Sequence, residues 1–120
     1  MEKYKLAEME RKFAKLIWAH APIASGELAK LCATELDWKR PTTYTVLRKL
    51  CERGIFSNEN GTVTALMSEE CFLAKQGEEY LSESFGGSLP KFLVAFANHN
   101  DLKKGELDAL QSLIDNYKED

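Results

Sequence analysis

Apolar residues open the chain at helical spacing. Leu6, Met9, Phe13, Leu16 and Ile17 fall three, four, three and one apart, which describes one face of an amphipathic helix over Leu6–Ala19. Trp18 extends that face or flanks it. Pro22 prevents continuation, and Ala21-Pro22-Ile23 reads as an extended connector. Ser25 suits the N-cap of a second helix through Leu36, with Leu28, Leu31, Cys32 and Leu36 inward, and Asp37-Trp38-Lys39 interrupts it. Pro41 fits a first helical position, where its missing N–H costs nothing. The third helix then runs to Arg53, with Gly54 as its stop. At about 100° per residue, Thr43, Val46, Leu47 and Leu50 share one side of it. The opposite side collects Thr42, Tyr44, Thr45, Arg48, Lys49 and Glu52, with no aliphatic residue.

Beyond Gly54 the period changes. Two short runs between Ile55 and Leu66 flank Asn60-Gly61, a strong signal for a tight hairpin turn, and Val63, Thr64 and Leu66 favour strand. Helical spacing returns after Ser68: Phe72, Leu73, Tyr80, Leu81 and Phe85 fit one long helix that begins with Ser68 and Glu69-Glu70. Gly86-Gly87-Ser88 breaks it. Phe92, Leu93 and Phe96 belong to a short apolar helix. A last helix from about Lys103 carries Leu107, Leu110, Leu113, Ile114 and Tyr117 at spacings of three, three, one and three.

Three helices, a hairpin and further helix make a mainly α chain with a small β-hairpin, in the order of a winged helix-turn-helix followed by a helical region. The expected division is 1–67 for the winged helix and 68–120 for the helices. In such a fold the third helix enters the major groove, its inner face holding the core and its outer face meeting bases. Arginine can bond guanine in bidentate fashion, and threonine offers a hydroxyl and a methyl that meets thymine. Lys15, Lys39, Arg40, Lys49 and Arg53 supply charge for phosphates, which fixes register rather than sequence. The wing is poor in basic residues: no Lys or Arg lies between Gly54 and Ala74, so its contacts fall to Asn58, Asn60, Thr62 or backbone amides.

Charge sharpens this picture. The net charge of −3 hides a division, because residues 1–53 hold eleven Lys/Arg against seven Asp/Glu (+4) and residues 54–120 hold five against twelve (−7). A basic front and an acidic back mark two tasks in 120 residues. The longest uncharged apolar run, Phe92 to Ala97, is far below the roughly 20 residues that span a bilayer. The first residues show no signal-peptide run either, so a cytoplasmic protein without membrane contact is expected. Cys32, Cys51 and Cys71 are widely spaced, form no C-x-x-C pair and read as small core residues. His20 and His99 stand alone, no Gly-rich phosphate loop is present, and Glu69-Glu70 and Glu78-Glu79 read as solvated helix faces. No catalytic residue, metal site or cofactor is expected, and the chain is read as a non-enzyme.

The residues also carry a resemblance. Its parts are the Leu6–Trp18 opening with its terminal Ile17-Trp18, Asp37-Trp38, the block Thr42-Thr43-Tyr44-Thr45-Val46-Leu47-Arg48-Lys49-Leu50, Gly54-Ile55, and Phe85-Gly86-Gly87-Ser88-Leu89. Together they resemble the penicillinase-repressor family of bacterial transcription regulators over nearly the whole length. The resemblance implies a homodimeric repressor that binds a palindromic double-stranded DNA operator through its N-terminal domain and dimerises through its C-terminal helices. Recognition contacts would fall on Thr42, Thr45 and Arg48, with Arg40 and Lys49 nearby; Lys39, Thr43 and Tyr44 complete the candidate interface. Better-known members carry Ser-Pro-Lys before the helix-three Thr, where this chain has Lys39-Arg40-Pro41. Family members are induced by proteolysis in the dimerisation region, commonly at an Asn-Phe bond, which implies a sensor protease as partner. The matching position is Ala95-Phe96. Copper-responsive relatives carry a C-terminal cysteine cluster, and no cysteine lies beyond Cys71 here.

The acidic half supports a two-fold partner on physical grounds. Phe72, Leu73, Phe92, Leu93, Phe96, Leu107, Leu110, Leu113 and Ile114 are more apolar surface than a thin helical region buries on itself. Weakening that dimer, by cleavage or by a ligand, would release DNA. Two other readings stay open. One is a winged-helix protein-interaction module without DNA binding; the other is a repressor with a small-molecule pocket near Trp18, Trp38 or Tyr80.

Overall fold

The computed structural model describes residues 4–117. Its elements are α1 (Glu8–His20), β1 (Ile23–Ala24), α2 (Ser25–Leu36), α3 (Arg40–Glu52), β2 (Phe56–Glu59), β3 (Thr62–Ala65), α4 (Glu69–Ser84), α5 (Leu89–His99) and α6 (Lys104–Asn116). The strands form one antiparallel sheet of order β1-β3-β2. The architecture is therefore a winged helix followed by helices. Two compact units divide within α4, between Glu79 and Tyr80. The first unit thus runs past the end of the hairpin and takes in the first turns of α4.

In that unit α1 contributes Phe13, Ala14 and Ile17 to the core, α2 contributes Leu28 and Cys32, and α3 contributes Thr43, Leu47 and Leu50. Ile55, Phe56 and Val63 close it from the hairpin, and Leu6 and Phe72 from either end. Helix α1 starts two residues later than the apolar period suggests. Leu6 is buried ahead of it, and the Ala7 N–H donates to Glu10 Oε1 at 2.9 Å, which satisfies a backbone donor at the helix start. Met9 is exposed in the first turn, so the buried seam is Phe13, Ala14 and Ile17 rather than one that includes Met9.

Ile23 and Ala24 do more than connect: they pair with Val63 and Thr62 as a short third strand. Ser25 is the first residue of α2 and not its cap, which is Ala24. The Ser25 N–H is taken up by the Gly61 carbonyl at 2.8 Å, binding the start of α2 to the hairpin turn. Asp37, at φ 56°, ends α2 in the left-handed region. Trp38 then returns to pack on Phe13, with ring centroids 5.2 Å apart. Lys39 caps α3, which places Pro41 second in the helix, where its absent N–H is still an orphan donor. In the hairpin turn Asn60 (φ 53°) and Gly61 (φ 80°) are both left-handed, the geometry that matches the twist of the flanking strands.

Ser68 Oγ accepts the Cys71 N–H at 3.0 Å and starts α4. Phe72 is the one buried side chain of that helix; its ring lies 5.3 Å from Trp18 and 5.8 Å from Tyr4. Trp18 in turn donates from Nε1 to the Met67 carbonyl at 3.0 Å.

The second unit has a smaller centre made of aromatic rings. Tyr80, Phe85, Phe92 and Phe96 contact one another in edge or tilted pairs 5.4 to 6.1 Å apart. The turn after α4 is closed by the Gly87 N–H donating to the Leu81 carbonyl at 2.8 Å, and Ser88 Oγ caps α5 by accepting from the Lys91 N–H. No side chain of α5 or α6 is buried.

Candidate nucleic-acid interface

Burial of one side of α3 determines what its other side can do. With Thr43, Leu47 and Leu50 in the core, Thr42, Thr45, Arg48 and Lys49 are exposed, as the helical projection expects. Among the described residues Lys39, Arg40, Arg48 and Lys49 make no ion pair. Among those residues their charge is left without an acidic partner. Thr45 Oγ1 donates to the Pro41 carbonyl at 2.9 Å, so its hydroxyl hydrogen is engaged while its two oxygen lone pairs and its methyl are left.

Three assignments change. Thr43, expected among the contact residues, is fully buried and belongs to the core. Lys15 pairs with Glu69 at 2.7 Å, and Arg53 Nη1 donates to the Lys5 carbonyl at 2.9 Å, so both cations are engaged inside the protein. Of the five cations expected near phosphates, Lys39, Arg40 and Lys49 stay exposed without an ion pair among the described residues.

Other residues are brought together. A groove of about 410 Å³ between α3 and β2 is lined by Tyr44, Leu47, Arg48, Cys51 and Asn58. It joins Arg48 of α3 to Asn58 of β2; Asn60 and Thr62 are exposed at the turn beyond. Burial pushes the Cys51 thiol above its ordinary range, so it lines the groove as a neutral group. Tyr44 is half-buried, and its hydroxyl donates to Ser25 Oγ at 3.2 Å. The Arg40 guanidinium stands 5.7 Å from the centre of the Tyr44 ring. It also reaches the start of α2, because a Cβ added to Gly26 would meet Arg40 Nη2 at 3.4 Å. Ser25 and Gly26 carry no periodic signal toward α3, so nothing in the sequence places them at the site.

In the second unit Leu93, Phe96, Leu107, Leu110, Leu113 and Ile114 are exposed. A groove of about 670 Å³ runs along α5 and α6, lined by Leu93, Phe96, Ala97, Leu102, Leu110 and Leu113 among others. Two of the nine expected dimerisation residues differ. Phe72 lies in the core of the first unit, and Phe92 is half-buried in the aromatic cluster. Leu73 is exposed on α4. Ala95 and Phe96 sit in the middle of α5. Trp18 and Trp38 pack within the first unit and Tyr80 within the second.

Cys32, Cys51 and Cys71 are free thiols, and among the described residues no three His, Cys, Asp or Glu side chains are placed to hold a metal ion. Among the same residues no helix is long and apolar enough to cross a membrane.

A winged helix-turn-helix with an exposed cationic outer face on its third helix defines the class. The chain belongs to the penicillinase repressor family, whose model matches residues 6–116, and which is a family of transcriptional repressors. A penicillinase repressor of Bacillus licheniformis is 22% identical over 117 residues, spanning 94% of this chain and 91% of that relative.

Proposed function

We propose that the protein is a cytoplasmic, dimeric repressor that reads a palindromic DNA operator through α3 and acts by binding, without a catalytic step. The observation that carries this reading is the division of α3. Thr43, Leu47 and Leu50 are locked in the core while Thr42, Thr45, Arg48 and Lys49 stand exposed, with no ion-pair partner among the described residues for either charge. Arg48 and Thr45 would read bases, while Lys39, Arg40 and Lys49 would hold phosphates. Asn58, Asn60 and Thr62 would give the wing polar rather than ionic contacts.

The apolar face of α5 and α6 supports self-association, since a second copy is the partner that a two-fold operator requires. Release follows from the same arrangement. One protomer alone holds half the contacts, so cleavage or a ligand that weakens the α5–α6 pairing lowers operator affinity. A sensor protease acting at Ala95-Phe96 would have to unwind the middle of α5, the helix whose apolar face supports pairing.

Binding to DNA from the chain's own upstream region, compared with random duplex between about 50 and 200 mM salt, tests this reading. The expected result is sequence-selective binding that weakens steeply with salt, and that loses selectivity in Arg48→Ala and Thr45→Ala. A folded protein that binds no duplex would instead favour a protein-interaction module, the reading that a wing without Lys or Arg suits.

A further inference from the structure

Arg40 and Tyr44 occupy successive turns of α3, four residues apart, where side chains on a helix meet. The Arg40 guanidinium lies 5.7 Å from the Tyr44 ring centre, within the range of a cation–π contact. The ring is itself held from behind. Tyr44 Oη donates to Ser25 Oγ at 3.2 Å, and the Ser25 N–H donates to the Gly61 carbonyl at 2.8 Å. A continuous run of contacts therefore joins the hairpin turn, the start of α2, the ring and the guanidinium. Tyr44 is half-buried and committed to this run, which makes it poorly placed to read a base. Arg40 is exposed and, among the described residues, has no acidic partner. A long side chain at a helix start ordinarily samples many rotamers, and a fixed ring beneath it removes much of that freedom before DNA arrives.

We propose that Tyr44 is a positioning residue that holds Arg40 for one DNA backbone phosphate, tied through Ser25 to the wing turn. The proposal rests on the operator-binding reading and deepens it by assigning each protomer one pre-positioned phosphate contact.

The test uses the full-length protein and its upstream duplex over a series of salt concentrations. Arg40→Ala should flatten the dependence of log affinity on log salt by about 0.9 per protomer, the value of one phosphate contact. Tyr44→Leu should flatten it by a similar amount, the double variant should fall no further than Arg40→Ala, and Tyr44→Phe, which keeps the ring but loses the tie to Ser25, should fall between Tyr44→Leu and the parent. Additive losses, or a Tyr44→Leu variant that loses affinity at unchanged slope, would overturn the proposal and reduce Tyr44 to a structural role. A second readout needs no DNA: the ring should shift the Arg40 Hδ proton resonances upfield in the free protein, less so in Tyr44→Phe, and not in Tyr44→Leu. Absence of that shift in the parent overturns the ring–guanidinium pairing even where DNA binds. Presence of the shift with no selective DNA binding overturns the operator reading and the phosphate role with it.

Discussion

Thr43 shows how much one residue can decide. It is fully buried, and its hydroxyl has no hydrogen-bond partner of ordinary geometry. The neighbouring Cys32 thiol is a weak partner at best, raised in pKa mainly by burial and only offset by Thr43. Thr43→Val keeps the shape and removes the orphaned oxygen, so it should stabilise the fold by about 1 kcal/mol in urea unfolding and leave DNA binding unchanged. Loss of operator affinity would return Thr43 to the interface. The helical projection already placed this residue inward; only its membership of a threonine-rich block drew it among the contacts.

The cysteines give a pH dependence with a definite sign. Burial raises the Cys32 and Cys51 thiols above 9.0 in the folded chain, so the unfolded chain loses those protons first as pH rises. Their contribution to stability is whole below the unfolded pKa and is lost as pH climbs through the folded one. The urea midpoint should therefore fall as pH rises through and beyond the range in which the unfolded thiols ionise, and a Cys32→Ala/Cys51→Ala variant should be less stable yet flatter over that range. An equal slope in both proteins would contradict this account.

At the scale of elements, periodicity and turn chemistry carried most of the fold. Helix α3, the hairpin and the Gly86-Gly87 break were legible because an amphipathic stripe, Asn60-Gly61 and a glycine pair each have a local cause. Strand β1 was not, because two residues have no period; only their pairing with Val63 and Thr62 makes them a strand. The fates of Lys15 and Arg53 were equally hidden, since Glu69 and the Lys5 carbonyl lie 54 and 48 positions away. At the hairpin turn Gly61 takes φ 80°, where a Cβ is strained whatever the space around it. Gly61→Ala should cost about 1–2 kcal/mol in chemical denaturation. An unchanged midpoint would mean that the turn relaxes freely.

The whole molecule sets a cationic helix face in one unit and an unburied apolar face in the other. The sequence showed the second feature as an excess of apolar residues but did not show that Phe72 is used within the first unit. That requires knowing that Trp18 and Tyr4 surround it. A Leu110→Asp/Leu113→Asp variant puts charge on the face proposed to pair, and should weaken self-association by roughly 100-fold, the effect of about 3 kcal/mol. Sedimentation should then report a folded monomer. The variant should also need more protein to occupy the same DNA.

Selection of bound sequences from a pool of random duplexes by the full-length protein reaches the central claim most directly, because two symmetric copies of α3 must leave a symmetric record. The account predicts an enriched palindrome whose half-sites lie about one helical turn, roughly 34 Å, or a multiple of it apart, with enrichment at the Arg48-dependent positions lost in Arg48→Ala. Enrichment of a single asymmetric motif, or of none, by a folded and dimeric protein would contradict it.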